Sequence, residues 1–418
     1  MQPSRRIFLR ILTTAGFASE TFRRNAMVQP QESFARPVVG GLQDRPPEIP
    51  RVTGLKIRTI ETFTGDNNLS IVRIRTDDGS EGYGQISPYD ADISAIVLHR
   101  KLAQHALGRD PADIHLIVDR CIEANYKFPW SYVCRALCGL DTALWDLLGK
   151  RAGKSVCEML GGKPRPLRVY GSSMSRAIKP EDEGKRLARL RDAKGFRAFK
   201  VRIGKVCGHD EDEWPGRTEA LIPAVRKAVG ADVAILADGN SCYTPPKAIQ
   251  VGRLLEEHAY GHFEEPCPYW ELEWTAQVAA ALKIAVAGGE QDNDLAQWRR
   301  MIRMRAVDIV QPDVCYVGGL TRALRVAGMA AAAGLKCVPH SANLSMVTVF
   351  TLHLCAAIPN FGDHVEFTIE DDPWTRNLYE PALEVRDGKV TVPANPGWGV
   401  KISSDWLAKA RREVSERA

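Results

Sequence analysis

Asp238, Glu264 and Glu290 recur at intervals of 26 residues, and each closes a short apolar run: Ile235-Leu236-Ala237-Asp238, Gly261-His262-Phe263-Glu264 and Val286-Ala287-Gly288-Gly289-Glu290. A repeat of that length holds one strand, one helix and two loops, so successive βα units would set three carboxylates side by side at one rim of a barrel. Oxygen donors without Cys or His suit Mg²⁺ better than zinc. Taken singly, each acid is more ordinarily an exposed or helix-capping carboxylate. The regular spacing reverses that reading.

The series continues downstream. Asp313 follows the run Val307-Asp308-Ile309-Val310-Gln311-Pro312, His340 follows Leu335-Lys336-Cys337-Val338-Pro339 27 residues later, and Glu366 comes 26 residues beyond the histidine. An imidazole titrates near working pH and can both accept and return a proton. A carboxylate partner such as Asp313 would fix its tautomer and raise its basicity. Upstream, Lys200 and Arg202 in Phe199-Lys200-Val201-Arg202 share one face of a strand, because side chains alternate with period two. Asn240, two residues past Asp238, would face the same cavity and bind a substrate hydroxyl, or else serve as an ordinary turn residue. Glu265 is expected behind the ligands or facing outward.

The elements that must carry these residues can be read from the pattern. From Val52 the chain alternates as α+β: Ile71-Val72-Arg73-Ile74-Arg75 and Gly82-Tyr83-Gly84 read as strands joined by a turn at Asp78-Gly79. Helical stretches follow around 95–107, 111–124 and 131–150. Strands about 23 to 35 residues apart then run from Arg168-Val169-Tyr170 to Glu366. The polar excursion Gly208 to Arg217 reads as a solvated loop or as a lid facing the substrate.

These residues resemble the enolase superfamily and, within it, the mandelate racemase-like subgroup. The resemblance covers nearly all of the chain from about Arg51 and rests on matches in order: the Ala136–Lys150 segment closed by Leu160-Gly161-Gly162, Asp238-Gly239-Asn240, Glu264-Glu265-Pro266, Gly289-Glu290, and Asp313 with His340. It implies an α/β fold, a modified (β/α)7β barrel of TIM type, with an α+β capping domain formed by the N-terminal region plus the C-terminal tail. The expected divisions are a leader over 1–47, the cap over 48–165, the barrel over 166–376 and a segment over 377–418 that packs on the cap. Cap loops near Phe63–Leu69 and Ile86–Ala91 would close over the barrel mouth. The resemblance also implies that Lys200 contacts the substrate carboxylate, that Glu366 donates a hydrogen bond to it, and that the chain forms a homo-oligomer.

One departure points to the reaction. Racemases and epimerases of this subgroup carry K-x-K on the second barrel strand, and the second lysine is the base facing the histidine. Arg202 stands there, and a guanidinium with a pKa above about 12 stabilises anions but accepts protons poorly. Dehydration needs one base where racemisation needs two. The expected activity is therefore a Mg²⁺-dependent hydro-lyase acting on an acid sugar, an aldonate or aldarate. A racemase or epimerase of a 2-hydroxy acid with Lys200 as base, or a silent barrel that binds a sugar acid, are the alternatives.

Length and composition agree. The 418 residues exceed the roughly 250 of a barrel alone and leave room for one companion domain. A 44% hydrophobic content supports a large core, and no run of 18 apolar residues suggests a membrane span. The net charge of +5 is small for this size, and no basic stripe interleaved with aromatics suggests nucleic acid. Ten cysteines without a CxxC pair read as buried free thiols. Ser4-Arg5-Arg6-Ile7-Phe8-Leu9-Arg10 fits a twin-arginine export signal to the periplasm, yet Glu20 and Arg23-Arg24 follow at once without an A-x-A site. A basic leader on a cytoplasmic protein, even an overextended start upstream of Met27, is the equal alternative.

Overall fold

The computed structural model describes residues 54–65 and 69–417. The leader over 1–47 and part of the Phe63–Leu69 loop lie outside the described residues. β-Branched residues build the first sheet, in which β1 (Ile57–Thr64), β2 (Ser70–Thr76) and β3 (Glu81–Ile86) pair antiparallel. The β2–β3 turn falls at Asp78-Gly79, where Gly79 takes φ 82° and Asp78 Oδ1 accepts from the Thr76 hydroxyl at 2.7 Å. The helix Ser131–Ala152 covers this sheet and is stopped by Gly153 in the left-handed region. Contact is so close that a Cβ on Gly84 would stand 2.4 Å from the Ala143 nitrogen, so this strand position requires glycine.

Eight parallel strands follow: β4 (Pro166–Ser172), β5 (Ala198–Arg202), β6 (Ala234–Asp238), β7 (His262–Glu264), β8 (Ala285–Gly288), β9 (Ile309–Val310), β10 (Lys336–Cys337) and β11 (Val365–Thr368). Neighbours in sequence are neighbours in the sheet from β4 to β10, and β11 pairs with β4. A parallel bridge from Cys337 to Phe361 lies at the remaining seam. One α-helix of ten residues or more sits in each interval, from Pro180–Lys194 to Met346–Ala357, which is the (β/α)7β order of a modified TIM barrel. Their apolar faces bury the strands; Val201, Ile235, Phe263 and Val286 are 1% exposed or less.

The chain end contributes to both parts. β12 (Tyr379–Glu380) pairs with β14 (Lys401–Ile402), β13 (Lys389–Thr391) lies antiparallel to β4, and β15 (Arg411–Glu416) adds to β1. Trp398 stacks on Phe350 and donates to the Thr142 carbonyl at 2.9 Å. Gln85 of β3 reaches the barrel: its amide donates to Ser345 Oγ at 2.8 Å and its carbonyl accepts from the Met346 nitrogen at 2.9 Å. The excursion after β5 is anchored, since Asp210 accepts from the Thr244 nitrogen at 2.7 Å and from its hydroxyl at 2.8 Å. All ten cysteines are free and Cys207 alone is exposed. Among the described residues no helix is long and apolar enough to cross a membrane.

Candidate active site

Parallel register brings the chemistry together. Arg202 on β5 lies beside Asp238 on β6, and Asp238 lies beside Glu264 on β7, so three charged side chains sit in one row at the carboxyl ends of the strands. Glu290 falls two residues beyond the end of β8, while Asp313 and His340 each fall three residues beyond β9 and β10. Ligand oxygens of Asp238, Glu264 and Glu290 lie within 4.8 Å of one another, and all three residues are buried. This group could hold a metal ion.

The cations are committed to these acids. Lys200 Nζ, fully buried, stands 2.6 Å from Glu264, 2.9 Å from Glu366 and 3.6 Å from Asp238. Burial alone would lower its pKa, but Glu264 and Glu366 outweigh burial and hold it well above the usual lysine range. Arg202 pairs with Asp238 and donates to Asn240 Oδ1 at 2.9 Å and to the Met174 sulfur at 2.7 Å. Burial opposes the charge of Glu264 as well, yet Lys200 keeps its carboxyl well below the ordinary range.

His340 Nδ1 meets Asp313 Oδ2 at 2.7 Å, and Asp313 Oδ1 accepts from the backbone nitrogens of Cys315 at 2.6 Å and Tyr316 at 3.0 Å. These donors leave Oδ2 for the imidazole, which therefore carries its proton on Nδ1 and turns Nε2 towards Glu290, 3.3 Å away, and Glu366, 3.9 Å away. Burial depresses the imidazole pKa, but Glu290, Glu366 and Asp313 together raise it to about 10. Glu366 accepts from the Ser172 hydroxyl at 2.7 Å and from the Ser341 nitrogen at 2.8 Å. Against its burial, Lys200 and His340 hold Glu366 at about 2, so both its oxygens act as acceptors and it has no proton to give in this state.

The donor set fits a dication. The buried carboxylates of Asp238, Glu264, Glu265, Glu290, Asp313 and Glu366 outnumber Lys200, Arg202 and even a protonated His340, so the cluster is rich in acid. Glu290 Oε2 is buried without a hydrogen-bond partner, because His340 lies near it but out of line. Burial, followed by the like charges of Asp238 and Glu264, pushes Glu290 up to about 7 despite the nearby His340. A dication on the triad would relieve that repulsion and offset the acidic field on His340, freeing the imidazole to be neutral.

Every residue singled out in the sequence for the site falls in this cluster, Asn240 at its edge. Of the two placements expected for Glu265, the outward-facing one does not hold: it is 5% exposed, has an unpartnered Oε1, and burial holds its carboxyl well above the usual range. Three residues went unrecognised. Gln311 donates to Glu264 Oε2 at 2.7 Å, Arg176 donates to Asn240 Oδ1 at 2.8 Å, and the Tyr316 ring lies 5.8 Å from that of His340. Gln311 stood in the apolar run before Asp313, which was a usable signal; Arg176 and Tyr316 sit in loops and had none.

The chain belongs to the enolase superfamily, in its mandelate racemase-like subgroup. The family described as "Enolase C-terminal domain-like" matches residues 183–406, and "Mandelate racemase / muconate lactonizing enzyme, N-terminal domain" matches residues 51–161. Arabinonate dehydratase of Saccharolobus solfataricus is 31% identical over 339 residues, which is 79% of this chain and 87% of that relative. A solved structure of a candidate racemase from Roseobacter denitrificans is 54% identical with a TM-score of 0.85, covering 87% of this chain and 100% of its own. L-Talarate dehydratase from Polaromonas, solved with Mg and L-glucarate, is 28% identical with a TM-score of 0.76, covering 87% of this chain and 100% of its own. The protein is an enzyme of the carbon–oxygen hydro-lyase class.

Proposed function

We propose that the chain is a Mg²⁺-dependent dehydratase that converts an aldonate or aldarate to its 2-keto-3-deoxy acid. The observation that carries this reading is an asymmetry across the barrel mouth: His340 with Asp313 forms an acid–base pair on one side, whereas the other presents Arg202, a guanidinium that pairs with Asp238 and accepts protons poorly. When bound to Asp238, Glu264 and Glu290, Mg²⁺ supplies Lewis-acid stabilisation of charge on the substrate carboxylate.

His340 Nε2 takes the proton from C2, and the electron pair of the C–H bond moves onto the carboxylate as an enediolate. Asp313 holds Nδ1–H throughout and stabilises the imidazolium. Lys200 and Arg202 lower the energy of the added charge through their fields. His340 then returns the proton to the 3-hydroxyl as the C3–O bond breaks, water leaves, and the enol ketonises. Asn240 binds a substrate hydroxyl. Glu366 is assigned contact with the substrate carboxylate; meeting that like charge requires a proton on one Glu366 oxygen, which it then donates. Assembly as a homo-oligomer is part of the same reading.

The likeness to a candidate racemase favours a second reading, racemisation with Lys200 as the opposite base. The second position of that strand motif carries Arg202, whose guanidinium accepts a proton poorly, which weighs against it. Incubation with a panel of aldonates and aldarates plus Mg²⁺, assayed for 2-keto acid, tests the proposal. Keto acid from at least one acid sugar is expected; none from any, with the α-carbon inverted instead, refutes it.

A further inference from the structure

We infer that Arg135 and Tyr316 form a positioning pair that joins the cap loop Ser87–Asp90 to the catalytic imidazole of His340. Arg135 lies on the cap helix Ser131–Ala152, and its guanidinium carbon stands 4.1 Å from the centre of the Tyr316 ring. The same guanidinium donates through one nitrogen to Ser87 Oγ at 2.7 Å and to the Pro88 carbonyl at 3.1 Å, and the Ser87 nitrogen donates back to the Arg135 carbonyl at 3.2 Å. Arg135 thus grips the start of the loop through side chain and backbone while its guanidinium sits over an aromatic face.

Tyr316 transmits that grip in two ways. Its ring packs at 5.8 Å and 43° against the His340 ring, and its backbone nitrogen donates to Asp313 Oδ1, whose other oxygen holds His340. At 7% exposed, the Tyr316 ring is wedged between guanidinium and imidazole. The loop it secures needs an external tie, because Tyr89 and Asp90 both take positive φ, 67° and 50°, where non-glycine residues are strained. Tyr89 is nevertheless 48% exposed. No hydrogen bond or ion pair joins Arg135 to the acid cluster or to His340, so its link to the imidazole runs through Tyr316.

This inference rests on the dehydratase reading for its effect on turnover, but its core can be tested without a substrate. In the full chain with Mg²⁺ added, histidine labelled at ¹³Cε1 reports His340, assigned by its absence in His340→Asn. Expected is a shifted or broadened His340 signal in Arg135→Gln and in Tyr316→Leu, returned towards the parent by Arg135→Lys and Tyr316→Phe, with the Mg²⁺-dependent rise in melting temperature kept in all four. On whichever acid sugar the parent turns over, kcat should fall about 10- to 100-fold in Arg135→Gln while KM stays within about threefold. A His340 signal identical to the parent's in both Arg135→Gln and Tyr316→Leu overturns the pair. If the parent turns over no acid sugar, the dehydratase reading fails and the His340 signal still decides the coupling.

Discussion

Asp313 and His340 meet at 2.7 Å through Oδ2 and Nδ1, while the other Asp313 oxygen is held by two backbone nitrogens. The aspartate cannot turn away from the imidazole without breaking those bonds, so the tautomer of the base is built into the loop after β9. In Asp313→Asn the amide keeps the shape but loses the charge that stabilises the imidazolium. A kcat decrease of about 10²- to 10⁴-fold is expected, with KM little altered, and His340→Asn should lose at least as much. Steady-state kinetics on a turned-over acid sugar check this; an Asp313→Asn enzyme with parental kcat would remove His340 from the base role.

Arg202→Lys restores the K-x-K pattern and puts a titratable amine on the opposite face. The shorter side chain gives up contacts that Arg202 makes with Asp238, Asn240 and Met174. Dehydration is expected to slow by about tenfold or more, and substrate recovered from D₂O should begin to carry deuterium at C2. Parental dehydration without any such exchange would show that the arginine does not determine the reaction.

Glu290 and its neighbours should bind a dication without help from substrate. Mg²⁺ at about a hundred times its Kd would stabilise the folded chain by about 2.7 kcal/mol, raising the melting temperature, and Glu290→Gln or Glu264→Gln should abolish most of that rise. Chelation with EDTA is expected to stop keto-acid release, and added Mg²⁺ to restore it.

Stability should depend on pH through His353, whose hydrogen-bond partners lie outside the acid cluster. Its Nδ1 accepts from the Cys157 nitrogen at 3.1 Å and its Nε2 donates to the Trp398 carbonyl at 3.0 Å, an arrangement that requires the neutral ring. Burial lowers its pKa to about 4 from the usual 6.5. The unfolded chain therefore binds the proton first: the contribution is whole above about pH 6.5, declines as pH falls, and is lost below about 4, amounting to roughly 3 kcal/mol. Denaturant melts between pH 7.5 and 4.5 should show a shallower decline for His353→Gln than for the parent.

The legible parts of the site were those encoded by period. Repeated intervals placed Asp238, Glu264 and Glu290 in sequence, and an apolar run before each announced a parallel strand. Strand ends were harder to locate, because β9 and β10 are two residues long and Asp313 and His340 lie three residues beyond them; alternation over two residues carries no signal. For Glu265 the sequence leaves two placements open, because its backbone turns through φ 40° just past β7, where strand alternation no longer applies. Arg176 and Tyr316 owe their roles to partners after other strands or on the cap, a proximity that only the closed barrel creates. The excursion after β5 is exposed or half-exposed along most of its length, as its composition implies, and Asp210 fastens it to Thr244.

The most direct measurement is turnover of an acid sugar in D₂O with Mg²⁺, stopped before completion, with product and recovered substrate both examined by NMR. Expected is a 2-keto-3-deoxy acid carrying solvent deuterium at C3, alongside recovered substrate of unchanged configuration at C2. Substrate returned with deuterium at C2 and inverted configuration, with no keto acid formed, would contradict a single-base elimination at His340.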